Sequence, residues 1–126
     1  MRFIAKIALC AAILLTPLVA RAETVLIMAE EEGCAWCARW LQEVGPEYPI
    51  TAEGRAAPLR RVDVRHPPED IAFDAPLFYT PTFVLVRDGE ELGRIEGYPG
   101  EDFFWGLLGM LLKEHGIALE DSGSTG

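Results

Sequence analysis

The sequence predicts a small α/β domain, and three features predict it. An unbroken apolar run, Val25-Leu26-Ile27-Met28-Ala29, leads directly into a C-x-x-C at Cys34 and Cys37 that opens a helical stretch. A second apolar run, from Leu77 to Val86, turns back at Asp88-Gly89 in the manner of a β-hairpin. A closing stretch from Glu101 carries Phe103, Phe104, Leu107, Leu108, Leu111 and Leu112 at helical spacing. Strand, helix, strand, hairpin and helix together give an α/β order.

The first 22 residues are read apart from the fold, because they have the three parts of a secretory signal. Arg2 and Lys6 make the start positive, Ile7 to Ala20 is apolar, and Ala20-Arg21-Ala22 offers small residues at the cleavage positions. The apolar run is shorter than the roughly 20 residues a bilayer span requires, so cleavage after Ala22 is expected rather than anchoring. Cys10 lies inside that run and is discarded with it. Export is expected to place the mature chain, 23–126, outside the cytosol with no membrane insertion after cleavage. One domain is expected over 23–116, followed by a disordered tail over 117–126.

Removing Arg2, Lys6 and Arg21 leaves 8 basic against 20 acidic residues, a formal charge of −12. Such a surface argues against nucleic acid and anionic membrane as partners. A mature chain of 104 residues is enough for one core and too little for two.

Val25 to Ala29 has no polar alternation, as expected of a central strand buried on both faces. The helix from Cys34 places Trp36, Trp40, Leu41 and Val44 on one stripe and ends at Gly45-Pro46. Trp36, between the cysteines, is expected at the surface, and Trp40 against the sheet. From Glu47 to Pro58 the pattern is weak and predicts an irregular, solvent-facing connection. Leu59 to Val64 is a second strand, stopped by Pro67-Pro68, with a short helix expected over Glu69 to Phe73 and His66 an ordinary loop residue. Pro81 at the mouth of the next strand suits a cis peptide. Glu90 to Glu96 is the returning strand. In the last helix Glu101 and Asp102 face the positive end of the dipole, Lys113 and His115 the negative end. Gly106 and Gly109 are read as letting that helix lie close on its own sheet.

With Cys10 gone, two cysteines remain in a compartment where disulfides persist. At the start of a helix, unpaired N–H groups and the dipole favour a thiolate at Cys34, and Cys37 lies one turn deeper on the same face. A purely structural bridge would close too short a loop to contribute much. A zinc site lacks ligands, since only His66 and His115 could join the pair and neither has ligand spacing. A redox dithiol is therefore the leading reading. Glu30, Glu31 and Glu32 oppose the dipole at Cys34 unless they point into solvent.

The order of these motifs, with Thr80-Pro81-Thr82 before the hairpin, resembles the thioredoxin superfamily over Thr24 to Lys113. The stretches Met28 to Trp40, Glu43 to Pro49 and Ala57 to Val62 resemble, more narrowly, the SoxS group of periplasmic thioredoxins found with bacterial sulfur-oxidation (Sox) systems. That resemblance implies a minimal thioredoxin-like fold, a central mixed sheet of about four strands flanked by helices, without the usual first strand and helix. It implies a thiol:disulfide oxidoreductase with no cofactor, in which Cys34 is the nucleophile and Cys37 the resolving cysteine of a reversible disulfide. It implies substrate binding by Ala35, Trp36, Thr80 and a cis Pro81, with the Thr80 backbone pairing with an extended peptide. Its implied partners are a protein disulfide, the carrier cysteine of the complex SoxYZ, and a membrane thiol transporter as electron donor, the chain itself acting as a monomer. Two departures stand out: no acid occupies the strand before the motif, and Gly33 replaces the usual tryptophan before the first cysteine. A disulfide oxidant or isomerase, and a non-catalytic module that holds a partner or Cu(I), are the alternatives.

Overall fold

The computed structural model describes residues 22–120. Residues 1–21 of the predicted leader, Cys10 among them, and residues 121–126 lie outside the described residues. The elements are β1 (Thr24–Glu30), α1 (Ala35–Glu43), a 3-10 turn (Tyr48–Ile50), α2 (Ala52–Ala56), β2 (Leu59–Asp63), β3 (Thr82–Arg87), β4 (Glu90–Glu96) and α3 (Glu101–Glu114). They build a mixed four-stranded sheet in the order β2-β1-β3-β4. β1 pairs parallel with β2 and antiparallel with β3, and β3 pairs antiparallel with β4.

β1 is central, and Leu26, Ile27, Met28 and Ala29 are wholly buried, as an unbroken apolar strand must be. Period-2 alternation sends Leu26 and Met28 to one face with Phe83 and Leu85, and Ile27 to the other with Val84 and Val86. The first face receives every helix. There Trp40, Tyr48, Phe83 and Phe104 interlock, with ring centroids 4.9–5.9 Å apart and mostly tilted or edge-on, the arrangement aromatic quadrupoles favour. The second face is covered by Ile71, Phe73 and Leu77 from the irregular segment after β2.

Four sequence expectations need correction. No helix forms over Glu69 to Phe73: Ala72 instead donates to Gly89 O at 2.7 Å and accepts from Glu91 N at 3.2 Å, tying the segment to the hairpin. Glu47 to Pro58 is not irregular and solvent-facing. Its helical turns rest on wholly buried Tyr48, whose hydroxyl donates to Ala57 O at 2.6 Å, and on Thr51, which caps α2 by accepting from Gly54 N at 3.0 Å. On α3 only Phe104, Leu108 and Leu112 are fully buried, while Phe103 and Leu107 point outward. The i, i+4, i+8 row faces the sheet, and no element among the described residues covers the neighbouring row. Gly106 and Gly109 have open space around them, so neither serves a close approach to the sheet. α3 ends in hydrogen bonds from Ile117 N to Leu112 O and from Gly116 N to Lys113 O, with Ile117 packed on the core.

Candidate functional site

The strand directions bring four strand ends, and the three connections that leave or enter them, to one end of the sheet. β1 and β2 both finish there, at Glu30 and Asp63; β3 starts there, with Thr82 opposite Ala29; β4 finishes there, with Glu96 opposite Thr82. The cysteine turn, the cis Thr80-Pro81 peptide and the Gly97–Gly100 loop are therefore neighbours by topology.

After β1 the chain reverses in a turn closed by Cys34 N–H donating to Glu31 O at 3.1 Å. Gly33 takes φ 82°, a left-handed value that a tryptophan in its place would adopt only with strain. Cys34 is then the N-cap of α1, with extended backbone, and its Sγ accepts the backbone N–H of Cys37 at 3.1 Å. A sulfur thus takes the place of the usual Ser or Asp oxygen at a helix start, and no acid stands in the first turn. Cys34 and Cys37 form a disulfide with Cα atoms 5.3 Å apart. Cys34 is half-buried whereas Cys37 is 3% exposed and belongs to the core. Cys34 is thus the more exposed cysteine of the pair, and Cys37 is closed off in the core.

Ala35 and Trp36 are exposed, Trp36 at 53%. The Arg39 guanidinium carbon lies 5.4 Å from the Trp36 ring centroid, and Arg39 pairs with Glu43 at 2.7 Å. Glu43 also accepts from the Tyr98 hydroxyl at 3.3 Å. Burial first, then the Glu43 carboxylate, pushes the Tyr98 phenol up to about 12. These contacts join the exposed face of α1 to the Gly97–Gly100 loop.

The glutamates before the motif are answered by arginines. Both oxygens of Glu30 accept from Arg61 at 2.6 Å, which holds the guanidinium's proton still more firmly. Glu31 and Glu32 are exposed, and both act on Arg65, itself bonded to Asp63. That bond draws the Asp63 carboxyl down to about 2. A shallow depression of about 410 Å³ beside the disulfide is lined by these glutamates together with Gly33, Ala38 and Leu41. Among the described residues, the buried cluster that holds Cys37 contains no acid. Met28 on β1 packs in the same cluster, and Thr82 is the one buried polar residue among the described residues.

Phe78 and Tyr79, to which the sequence pattern gives no role, are 80% and 61% exposed immediately before Thr80. Their hydrophobicity looked like strand; three aromatic or apolar residues between Pro76 and Pro81, too few for a paired strand, are the signal that distinguishes them. Among the described residues no helix is long and apolar enough to cross a membrane.

No protein-family model matches the chain. No curated protein matches it. A solved structure does: the periplasmic thioredoxin SoxS from Paracoccus pantotrophus, in its reduced form, is similar to this chain with a TM-score of 0.72 and 50% sequence identity. The match covers 74% of this chain and 99% of that one.

Proposed function

This chain belongs to the thioredoxin family, in the SoxS group, and is a thiol–disulfide oxidoreductase, and from that premise we propose that it works in the periplasm as a reductant of a narrow set of protein disulfides. The observation that carries the reading is the asymmetry of the pair: Cys34 caps α1 at the surface, and Cys37 is buried beneath it. In the reduced protein the Cys34 thiolate attacks one sulfur of the substrate disulfide, and the other sulfur leaves as a thiolate that takes up a proton. Cys37, deprotonated, then attacks Cys34 Sγ, the second substrate thiol departs, and the Cys34–Cys37 disulfide seen here remains. Two electrons have passed to the substrate.

Ala35 and Trp36 form the approach to Cys34, and Thr80 with Pro81 offers backbone to an extended substrate segment. The SoxS relationship supports a specific substrate, the carrier cysteine of SoxYZ, with electrons returned to the pair by a membrane thiol transporter. Its periplasmic setting also supports export, for which we propose cleavage after Ala22, with 23–116 as the working domain, 117–126 as its tail and a monomer as the working unit.

The test is to express Cys37→Ala with its own leader in the native cell and identify what is disulfide-bonded to Cys34 after acid quenching. One dominant adduct with a sulfur-carrier subunit is expected. Many unrelated adducts would overturn the dedicated role, and none at all would overturn the reductant itself.

A further inference from the structure

The segment that leads to Pro81 is held at two points, one by a group far from it in sequence and one by the residue that follows Pro81. On β4, Arg94 lies opposite Val84, on the sheet face that carries no helix. Its guanidinium donates to Ala75 O at 2.9 Å and to Pro76 O at 3.1 Å. The same fork grips Glu91 through Nε at 3.1 Å and Nη2 at 2.6 Å, with both side chains largely buried. Glu91 thus supplies the charge that lets a buried guanidinium spend its other donors on neutral carbonyls. At the far end of the segment, the Thr82 hydroxyl donates to Tyr79 O at 2.6 Å. Between the two anchors Leu77 packs inward, and Phe78 and Tyr79 are left in solvent.

We propose that Arg94 is a positioning residue for substrate selection: by clamping the Ala75 and Pro76 carbonyls it presents Phe78 and Tyr79 as an aromatic edge that recognises an apolar, extended segment flanking the substrate disulfide. The inference rests on the reading of Thr80 and Pro81 as a substrate-binding edge. A clamp at 75–76 and another at 79 leave the two aromatic residues little freedom, so their contact area is available with little ordering entropy to lose. A lysine at position 94 has neither the planar fork nor enough donors in one plane to hold Glu91 and two carbonyls together.

The test compares two oxidants of the fully reduced mature chain: cystine, and a disulfide-linked peptide dimer with Leu and Phe flanking its cysteine. The wild type is expected to prefer the peptide. Arg94→Gln is expected to lose about tenfold in kcat/KM for the peptide, through KM, while its rate with cystine and the reduction potential of Cys34–Cys37 stay unchanged. Arg94→Lys should recover only a small part of the loss. An equal loss on both oxidants, a changed potential, or no loss would overturn the proposal. If Arg94→Gln does not fold, the double variant Phe78→Ala, Tyr79→Ala decides, because both side chains are exposed: a selective loss on the peptide supports the proposal, and an unchanged rate overturns it. A wild type that reduces cystine without preferring the peptide would overturn the substrate-edge reading on which the proposal rests. A wild type that reduces neither would overturn the reductant reading itself.

Discussion

The Sγ of Cys34 accepts the backbone N–H of Cys37 at 3.1 Å, so the two cysteines are coupled through the helix cap as well as through their bond. When the disulfide opens, the same N–H faces a free sulfur, and the first turn of α1 holds no acid to compete with it. The helix start therefore stabilises negative charge on Cys34 and offers none of that help to Cys37. The glutamates on the preceding turn oppose the effect only weakly, since an arginine binds Glu30 and water screens the exposed Glu31 and Glu32.

Trp36 is exposed and lies against Arg39 rather than in the core, so its proposed substrate contact can be tested apart from stability. Trp36→Ala is expected to shift stability by no more than about 1 kcal/mol, the scale of its exposed contact with Arg39. Its loss should appear instead as a raised KM for peptide disulfides. Chemical denaturation and steady-state kinetics on the same preparation check both halves.

Glycines in helices give a paired test of packing. Ala ordinarily stabilises a helix interior by about 1 kcal/mol over Gly, and Gly106→Ala and Gly109→Ala should each do so because open space surrounds them. At Gly54 the sign reverses, because a Cβ there would fall on the Tyr48 carbonyl, a backbone atom that cannot yield. Gly54→Ala is expected to destabilise by about 1–3 kcal/mol. Denaturant midpoints on the three variants decide it.

How far the sequence could be read follows the same physics. β1, β4 and α1 were legible because their signals are local: an unbroken apolar run, a turn at Asp88-Gly89, and a helix stopped by Gly45-Pro46. α2 was not, because five residues show no periodicity and are held by Tyr48 and Thr51 rather than by an apolar stripe. The outward turn of Phe103 and Leu107 escaped because an apolar row does not reveal whether anything lies opposite it. In the site, the cysteines and Thr80-Pro81 stood out by residue type, whereas Arg94 looks like any charged strand residue until the chain folds the Ala75 and Pro76 carbonyls onto it.

Alkali should unfold the domain through its buried phenols. Burial holds the Tyr48 hydroxyl well above the usual phenol range and, with the Glu43 carboxylate, pushes Tyr98 up to about 12. Because these folded-state values exceed the unfolded value near 10, their stabilising effect is complete below about pH 10 and is lost as pH rises through the folded values. Tyr48→Phe removes the donor to the buried Ala57 carbonyl and is expected to cost about 1–3 kcal/mol at neutral pH. Denaturant midpoints of the oxidised protein across neutral and alkaline pH, with tyrosinate absorbance alongside, measure both.

The most direct test of the division of labour at the disulfide is the order in which the two thiols of the reduced protein react with iodoacetamide at neutral pH, read by peptide mapping. Cys34 is expected to be alkylated first and Cys37 last, because one sulfur caps the helix at the surface and the other is buried in the core. Equal rates, or alkylation of Cys37 before Cys34, would contradict it.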